Sequence, residues 1–253
     1  MIGWLTGARG RGEDSAAATP AGTRIYAIGD IHGRIDLLRE LQRLIRDDAA
    51  RRQAPRNVVV YLGDYVDRGP HSCAVLDALL NEPLPGFESH HLKGNHEDIM
   101  LRFLSDVSVA ATWLNFGGRE TLRSYDIEAP DPFAPQGELL RAQGALAAKL
   151  PPAHLEFLRG LKPSHEEGGY FFAHAGIRPG VPLEQQSEDD MLWIREDFLR
   201  SDASFGRIVV HGHTISRVPD VRRNRIGIDT GAFASNRLTA LVAEGTEWSF
   251  LQT

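Results

Sequence analysis

The segment Val58-Val59-Val60-Tyr61-Leu62-Gly63-Asp64-Tyr65-Val66-Asp67-Arg68-Gly69 is an apolar run that stops at a glycine and opens into two aspartates and an arginine. Such a run reads as a strand buried on both faces. The glycines let the backbone turn sharply and come close to a ligand at the strand's end. The same arrangement recurs four times. Ile25-Tyr26-Ala27-Ile28 leads into Gly29-Asp30-Ile31-His32-Gly33, and His90-His91-Leu92 leads into Gly94-Asn95-His96-Glu97. Tyr170-Phe171-Phe172-Ala173 leads into His174-Ala175-Gly176, and Ile208-Val209-Val210 into His211-Gly212-His213. One Asp-x-His is common by chance; five strand-then-ligand units point to a site assembled at the carboxyl ends of strands in an α/β sheet.

Carboxylate, amide oxygen and neutral imidazole suit borderline divalent ions, and the lack of thiolate ligands argues against a structural zinc or iron–sulfur site. Asp30 and His32, two residues apart in one loop, can point to a single ion. Asp64 has two oxygens and can bridge two ions, with Asn95, His174 and His213 completing the set of ligands around the second ion. His213 is assigned to the metal and His211 to the pocket wall, since two side chains flanking one glycine need not face the same way. His71, His90, His91, His154 and His165 lack a glycine-bracketed setting and default to surface or core roles.

The rest of the chain sets the frame. Ile35, Leu38, Leu41, Leu44 and Ile45 recur at helical spacing, and a second helix is predicted from His71 to about Leu80, just after Pro70. Strand, loop and helix alternate through the first hundred residues, which implies a mostly parallel sheet with covering helices. Residues 98–162 read as a helical insertion forming a packed layer. Ile226-Gly227-Ile228, Leu238-Thr239-Ala240-Leu241-Val242 and Trp248-Ser249-Phe250-Leu251 are expected to build a second sheet. Residues 1–23 are expected to be a flexible tail preceding a single domain over 24–253.

Composition narrows the function classes. The 253 residues, 42% of them hydrophobic, suffice for a full core. A net charge of −6 argues against a general nucleic-acid binder, and Arg222-Arg223-Asn224-Arg225 reads as a solvated turn. Cys73 is the single cysteine, so no internal disulfide forms; its apolar helical setting marks it as a core thiol in a reducing, cytoplasmic compartment. No stretch approaches the roughly 18 apolar residues of a membrane span, and residues 1–23 lack the apolar core of a secretory signal.

The ordered series GDIHG, GDYVDRG, GNHE, HAG and HGHT resembles the calcineurin-like metallophosphoesterases, and within them the bacterial and phage-type phosphoprotein phosphatases; the motif core covers residues 25–230. The resemblance implies a four-layer αββα sandwich of two mixed sheets flanked by helices. It implies that Asp30, His32 and Asp64 hold a first metal, and that Asp64, Asn95, His174 and His213 hold a second. It further implies that His96 is the general acid, oriented by Asp67, and that Arg68 and Arg195 grip the phosphate. Two divalent ions, expected to be Mn²⁺ with iron or zinc as alternatives, can acidify a shared water and polarise the phosphoryl oxygens. Arg68 adds planar bidentate donors suited to an oxyanion, with an ion pair to Glu97 as its structural alternative.

The implied activity is hydrolysis of phosphoserine or phosphothreonine in proteins, with phosphotyrosine also open and no regulatory subunit evident. Its nearest rival is symmetrical dinucleoside tetraphosphate hydrolysis; the intact Asp67-Arg68-Gly69 and the Glu97 after Gly94-Asn95-His96 favour the phosphatase. A catalytically silent phosphoprotein-binding module is the third reading, and the complete set of ligands speaks against it. Lys93 stands where eukaryotic phosphatases of this family usually carry arginine, which alters one donor on the phosphate side.

Overall fold

The computed structural model describes residues 5–6 and 17–253. Its strands are β1 (Leu5–Thr6), β2 (Thr23–Ile28), β3 (Arg56–Tyr61), β4 (Phe87–His91), β5 (Ser164–Glu167), β6 (Tyr170–Ala173), β7 (Ile208–His211), β8 (Asp220–Val221), β9 (Arg225–Gly227), β10 (Thr239–Glu244) and β11 (Glu247–Gln252). The helices that matter here are α1 (Ile35–Arg52), α2 (Ser72–Asn81), α3 (Asn95–Phe103), α4 (Ala110–Trp113), α5 (Arg119–Ser124), α6 (Gln136–Lys149), α7 (Pro152–Gly160), α8 (Glu188–Trp193) and α9 (Glu196–Leu199). One sheet has the order β1-β11-β10-β2-β3-β4 and the other β5-β6-β7-β9-β8. Both are mixed: β2, β3 and β4 run parallel, as do β6, β7 and β9, while their outer neighbours are antiparallel.

Side-chain alternation along the strands produces the layers. On β2, Tyr26 and Ile28 face the core under α1 and α2, while Ile25 and Ala27 face the opposite sheet. On β6, Tyr170 and Phe172 meet that inter-sheet core, and Phe171 and Ala173 pack outward against Met191, Ile194 and Phe198 around α8 and α9. Helix, sheet, sheet, helix follows, as the motifs implied. Buried Asp48 on α1 receives Arg24 Nη2 at 2.7 Å and the Tyr26 hydroxyl at 2.8 Å, which fastens the helix to β2.

Two expectations are corrected. The C-terminal strands do not form a sheet of their own. β9 joins the second sheet, whereas β10 pairs with β2 and continues the first sheet through β11. The reason lies in β10, where Ala240 and Val242 enter the helix-side core and Leu241 and Ala243 the inter-sheet core, so both faces need cover. The basic run at 222–225 is not a solvated turn throughout, because Arg225 is buried and donates to Asp220 Oδ2 at 2.7 Å and the Leu199 carbonyl at 3.1 Å. The helical insertion is more than a packing layer, since α4 and α5 reach the site described below. Of the residues expected as a tail, Leu5–Thr6 pairs with β11 and Thr19 N–H donates to the Gly245 carbonyl; residues 1–4 and 7–16 lie outside the described residues. Among the described residues no helix is long and apolar enough to cross a membrane.

The two sheets are laced along one edge, where Lys93 N–H donates to Lys162 O and Lys162 N–H to His91 O. His90 stacks on His165 at 3.7 Å across this seam, and His91 stacks on Tyr61 at 4.8 Å. Arg56, Glu88 and Glu167 pair beside them. Burial, with His90 alongside, pushes His91 down to about 4 from an ordinary 6.5. The unfolded chain therefore binds the His91 proton first, and stability present above pH 6.5 is lost as pH falls towards 4. His91 alone accounts for about 3 kcal/mol over that range. Urea denaturation of His91→Phe, which keeps the ring stack, should show a shallower loss of stability between pH 6.5 and 4 than the natural chain; parallel curves would refute the assignment.

Candidate active site

The carboxyl ends of β2, β3 and β4 in one sheet, and of β6 and β7 in the other, converge on a single place. Asp30, His32, Asp64, Asn95, His96, His174 and His213 are all buried there, each 7% exposed or less. Two glycines permit the approach. A side chain on Gly94 would lie 2.1 Å from Asp64 Oδ1, and one on Gly212 would lie 2.0 Å from Asp30 Oδ1. His32, Asp64, Asp67, Arg68 and His213 all hold positive φ, between 46° and 71°, a conformation that L-residues adopt under strain and that concentrates at functional sites.

Asp64 is the centre of the arrangement. Its Oδ2 lies 3.4 Å from His32 Nε2 and its Oδ1 3.4 Å from His174 Nε2. His32 and His174 each turn Nδ1 outward to a backbone carbonyl, of Val66 at 2.8 Å and of Leu62 at 3.0 Å, which aims Nε2 inward. His174 Nε2 also lies 2.9 Å from Asn95 Oδ1 and 3.2 Å from His213 Nδ1. Two groups with cation-holding geometry result, His32 with Asp64 and His96, and Asp64 with His174 and His213. Asp30 stands beside them with its carboxylate turned to the His213 N–H at 3.0 Å.

This donor set fits divalent ions on two grounds. The buried Nε2 atoms of His32 and His213 have no hydrogen-bond partner, an expense that a bound cation would remove. The imidazoles are also in the coordinating state. Burial pushes His32, His174 and His213 below their ordinary range, His213 to about 2, so they stand neutral. His96 differs: burial opposes its protonation, yet Asp64 and Asp67 together raise it.

His96 belongs to a second device. Its Nδ1 lies 2.7 Å from Asp67 Oδ2, and its Nε2 lies 3.2 Å from Arg68 Nη2. Asp67 is held by Trp113 Nε1 at 3.1 Å and by the Thr121 hydroxyl at 2.6 Å, and its own N–H donates to Ser72 and Thr121. Trp113 and Thr121 come from α4 and α5, and no local motif announced them. Arg68 does not pair with Glu97. Its guanidinium lies over the Phe233 ring at 4.8 Å, and the Arg68 backbone N–H donates to the Gly117 carbonyl. Arg195 Nη1 lies 3.2 Å from Thr214 Oγ1 at the rim of a cavity of about 290 Å³ shared with Trp193 and Arg178. Lys93 turns to Glu188 at 2.5 Å.

His211, expected in the pocket wall, is instead a buried core residue packed edge-on against Phe198 at 5.1 Å. Cys73 is half-buried on α2, its thiol pushed up to about 11 by burial and Asp77, which keeps it as the neutral thiol at neutral pH. Two acidic residues do more than the motif reading gave them. Glu97 accepts the N–H groups of Asp64, Tyr65, Val66 and Gly94 at 2.8 to 3.2 Å. Asp229 follows β9 as the other acids follow their strands, and Asp229-Thr230-Gly231 after Ile226-Gly227-Ile228 repeats the pattern a sixth time.

The chain belongs to the calcineurin-like phosphoesterase family, whose model matches residues 23–234, and it is accordingly a hydrolase of the metallophosphoesterase type. It is 26% identical over 241 residues to the asymmetrical bis(5'-nucleosyl)-tetraphosphatase PrpE of Geobacillus thermodenitrificans, covering 86% of this chain and 89% of the relative. It is 28% identical over 225 residues to serine/threonine-protein phosphatase 2 of Escherichia coli K12, covering 85% of this chain and 90% of that one. In fold it is similar to a crystal structure described as a putative diadenosine tetraphosphatase, with a TM-score of 0.59, 21% identity and coverage of 89% and 93%.

Glu97 offers a direct check on how the site is held. A carboxamide can accept at one end only and would set its NH₂ against backbone donors. Glu97→Gln should therefore lose at least about 2–3 kcal/mol in urea denaturation; a loss below 1 kcal/mol would mean that the loop holds itself.

Proposed function

We propose that this protein is a dimetal phosphomonoesterase that removes phosphate from phosphoserine and phosphothreonine in proteins, with phosphotyrosine within reach of the same centre. The observation that carries this reading is the His96–Asp67 pair at 2.7 Å, with Arg68 alongside, set against the Asp64-centred cluster. An alkyl ester leaves as a poor alkoxide, and an imidazole held protonated at the leaving oxygen is what such a bond needs and a better leaving group does not.

In this reading His32, Asp64 and Asp30 hold one ion, and Asp64, Asn95, His174 and His213 the other; Mn²⁺ is the ion we expect. Bound divalent ions would supply Lewis acidity towards the phosphoryl oxygens and a water acidic enough to attack. The protein's own groups do the rest. Arg68 and Arg195 place charged donors on the phosphoryl oxygens and orient the ester. His96 delivers its Nε2 proton to the leaving oxygen, while Asp67, fixed by Trp113 and Thr121, keeps the proton on Nδ1 and stabilises the imidazolium.

A second reading is hydrolysis of dinucleoside tetraphosphates, favoured by the similarity to the bis(5'-nucleosyl)-tetraphosphatase PrpE. There the departing group is a phosphate oxygen that needs little protonation, so His96 would matter less.

The two readings separate in one assay. On manganese-loaded protein, kcat/KM for phosphoserine and phosphothreonine peptides should exceed that for diadenosine tetraphosphate; the reverse order would establish the second reading. His96→Asn should lower peptide hydrolysis by about 10²–10⁴-fold at near-normal metal content. Parallel loss of metal and activity would show that His96 is a ligand instead.

A further inference from the structure

Six strands end at the site, three from each sheet, and five of their loops carry the residues assigned above. The sixth, after β9, carries Asp229. This carboxyl is 2% exposed. Its Oδ1 accepts the Gly231 N–H at 2.8 Å, and its Oδ2 is buried without a hydrogen-bond partner. It faces the carboxyl of Asp30, with which it interacts directly. The approach is built into the backbone. Gly29 lies so close to β9's end that a side chain there would meet the Ile228 carbonyl at 2.6 Å; the Asp229 carbonyl accepts the Ser216 N–H at 3.0 Å, and Ile228 N–H donates to the His211 carbonyl at 2.9 Å.

Two carboxylates pressed together out of water repel each other and lose hydration, a cost that a shared proton or a bound cation relieves. The guanidinium of Arg68 acts on both, but Arg68 lies over the Phe233 ring and beside His96. Glu97 shows the alternative available to a purely structural acid in the same neighbourhood, with both oxygens occupied by backbone donors. Asp229 keeps one oxygen open towards Asp30.

We propose that Asp229 is a further metal-holding residue, a second carboxylate that binds the first ion together with Asp30. It rests on the dimetal reading given above and adds a third anionic group to a site otherwise served by Asp30 and Asp64. Three carboxylates against two divalent ions leave a formal charge of +1, which tightens cation binding while still attracting a phosphate dianion.

The role predicts effects of opposite sign, which a structural residue would not give. Asp229→Asn is isosteric, can still accept from Gly231 N–H, and can donate to Asp30. In chelator-stripped full-length protein its urea midpoint should therefore be equal to or higher than that of the natural chain. Titration calorimetry with Mn²⁺ should show one of two ions bound about 10–100-fold more weakly, with the other little changed. Unchanged affinity for both ions would overturn the proposal. A lower midpoint without metal would do so too, by marking Asp229 as a structural residue. If the natural chain itself bound no divalent ion, the dimetal reading would fail along with the proposal, which keeps the two failures distinguishable.

Discussion

The carboxylate of Glu97 is the point on which the site depends. Four backbone N–H groups, from Asp64, Tyr65, Val66 and Gly94, converge on its two oxygens. Burial and the neighbouring Asp64 raise this carboxyl, while the donors from Val66 and Gly94 act in the opposite sense. The backbone it grips cannot be relaxed elsewhere, since Asp64, Asp67 and Arg68 all hold left-handed conformations that cost about 1–3 kcal/mol each. Strain of that size persists only where the surroundings over-determine it. Glu97 supplies that constraint, and by sitting in the first turn of α3 it also fixes where Asn95 and His96 emerge.

From this anchor the division of labour follows. Asp64 accepts the His96 N–H at 3.2 Å, so the central carboxylate doubles as a cap for the helix that carries His96. The Asp67 carboxylate uses a different set of donors, Trp113 from α4 and Thr121 from α5, while its own N–H donates to Ser72 at the start of α2. The Asp64-centred cluster and the His96–Asp67 pair thus share Glu97 and Asp64 as supports, while Trp113 and Thr121 serve the pair alone.

Much of this was legible in the sequence because strand, glycine and ligand are adjacent letters. The five loops, the amphipathic α1 and the span of α2 needed no tertiary information. What stayed hidden depends on contacts between distant segments. That β10 belongs beside β2 is a matter of which of two hydrophobic faces it completes, and its alternation is equally good for either sheet. Trp113 and Thr121 look like ordinary helix residues until Asp67 is placed beneath them. Arg225 resembles its solvated neighbours and is distinguished only by Asp220 and the Leu199 carbonyl. Asp229 was visible in principle: its strand was recognised, but a lone Asp followed by threonine carried no histidine to draw attention.

The lacing between the sheets along β4 and β5 lies on one flank of the sandwich, while the site lies across the strand ends. Asp30, Asp64 and Asn95 project from one sheet and His174 and His213 from the other, so any cation they share is a cross-link between the two halves of the molecule. Occupancy and sheet registry then become one linked equilibrium: sliding one sheet past the other loosens the cation, and the cation resists the slide. Such a cation would act as a keystone between sheets whose spacing is set by the packing of Ile25, Val60, Phe172 and Val210.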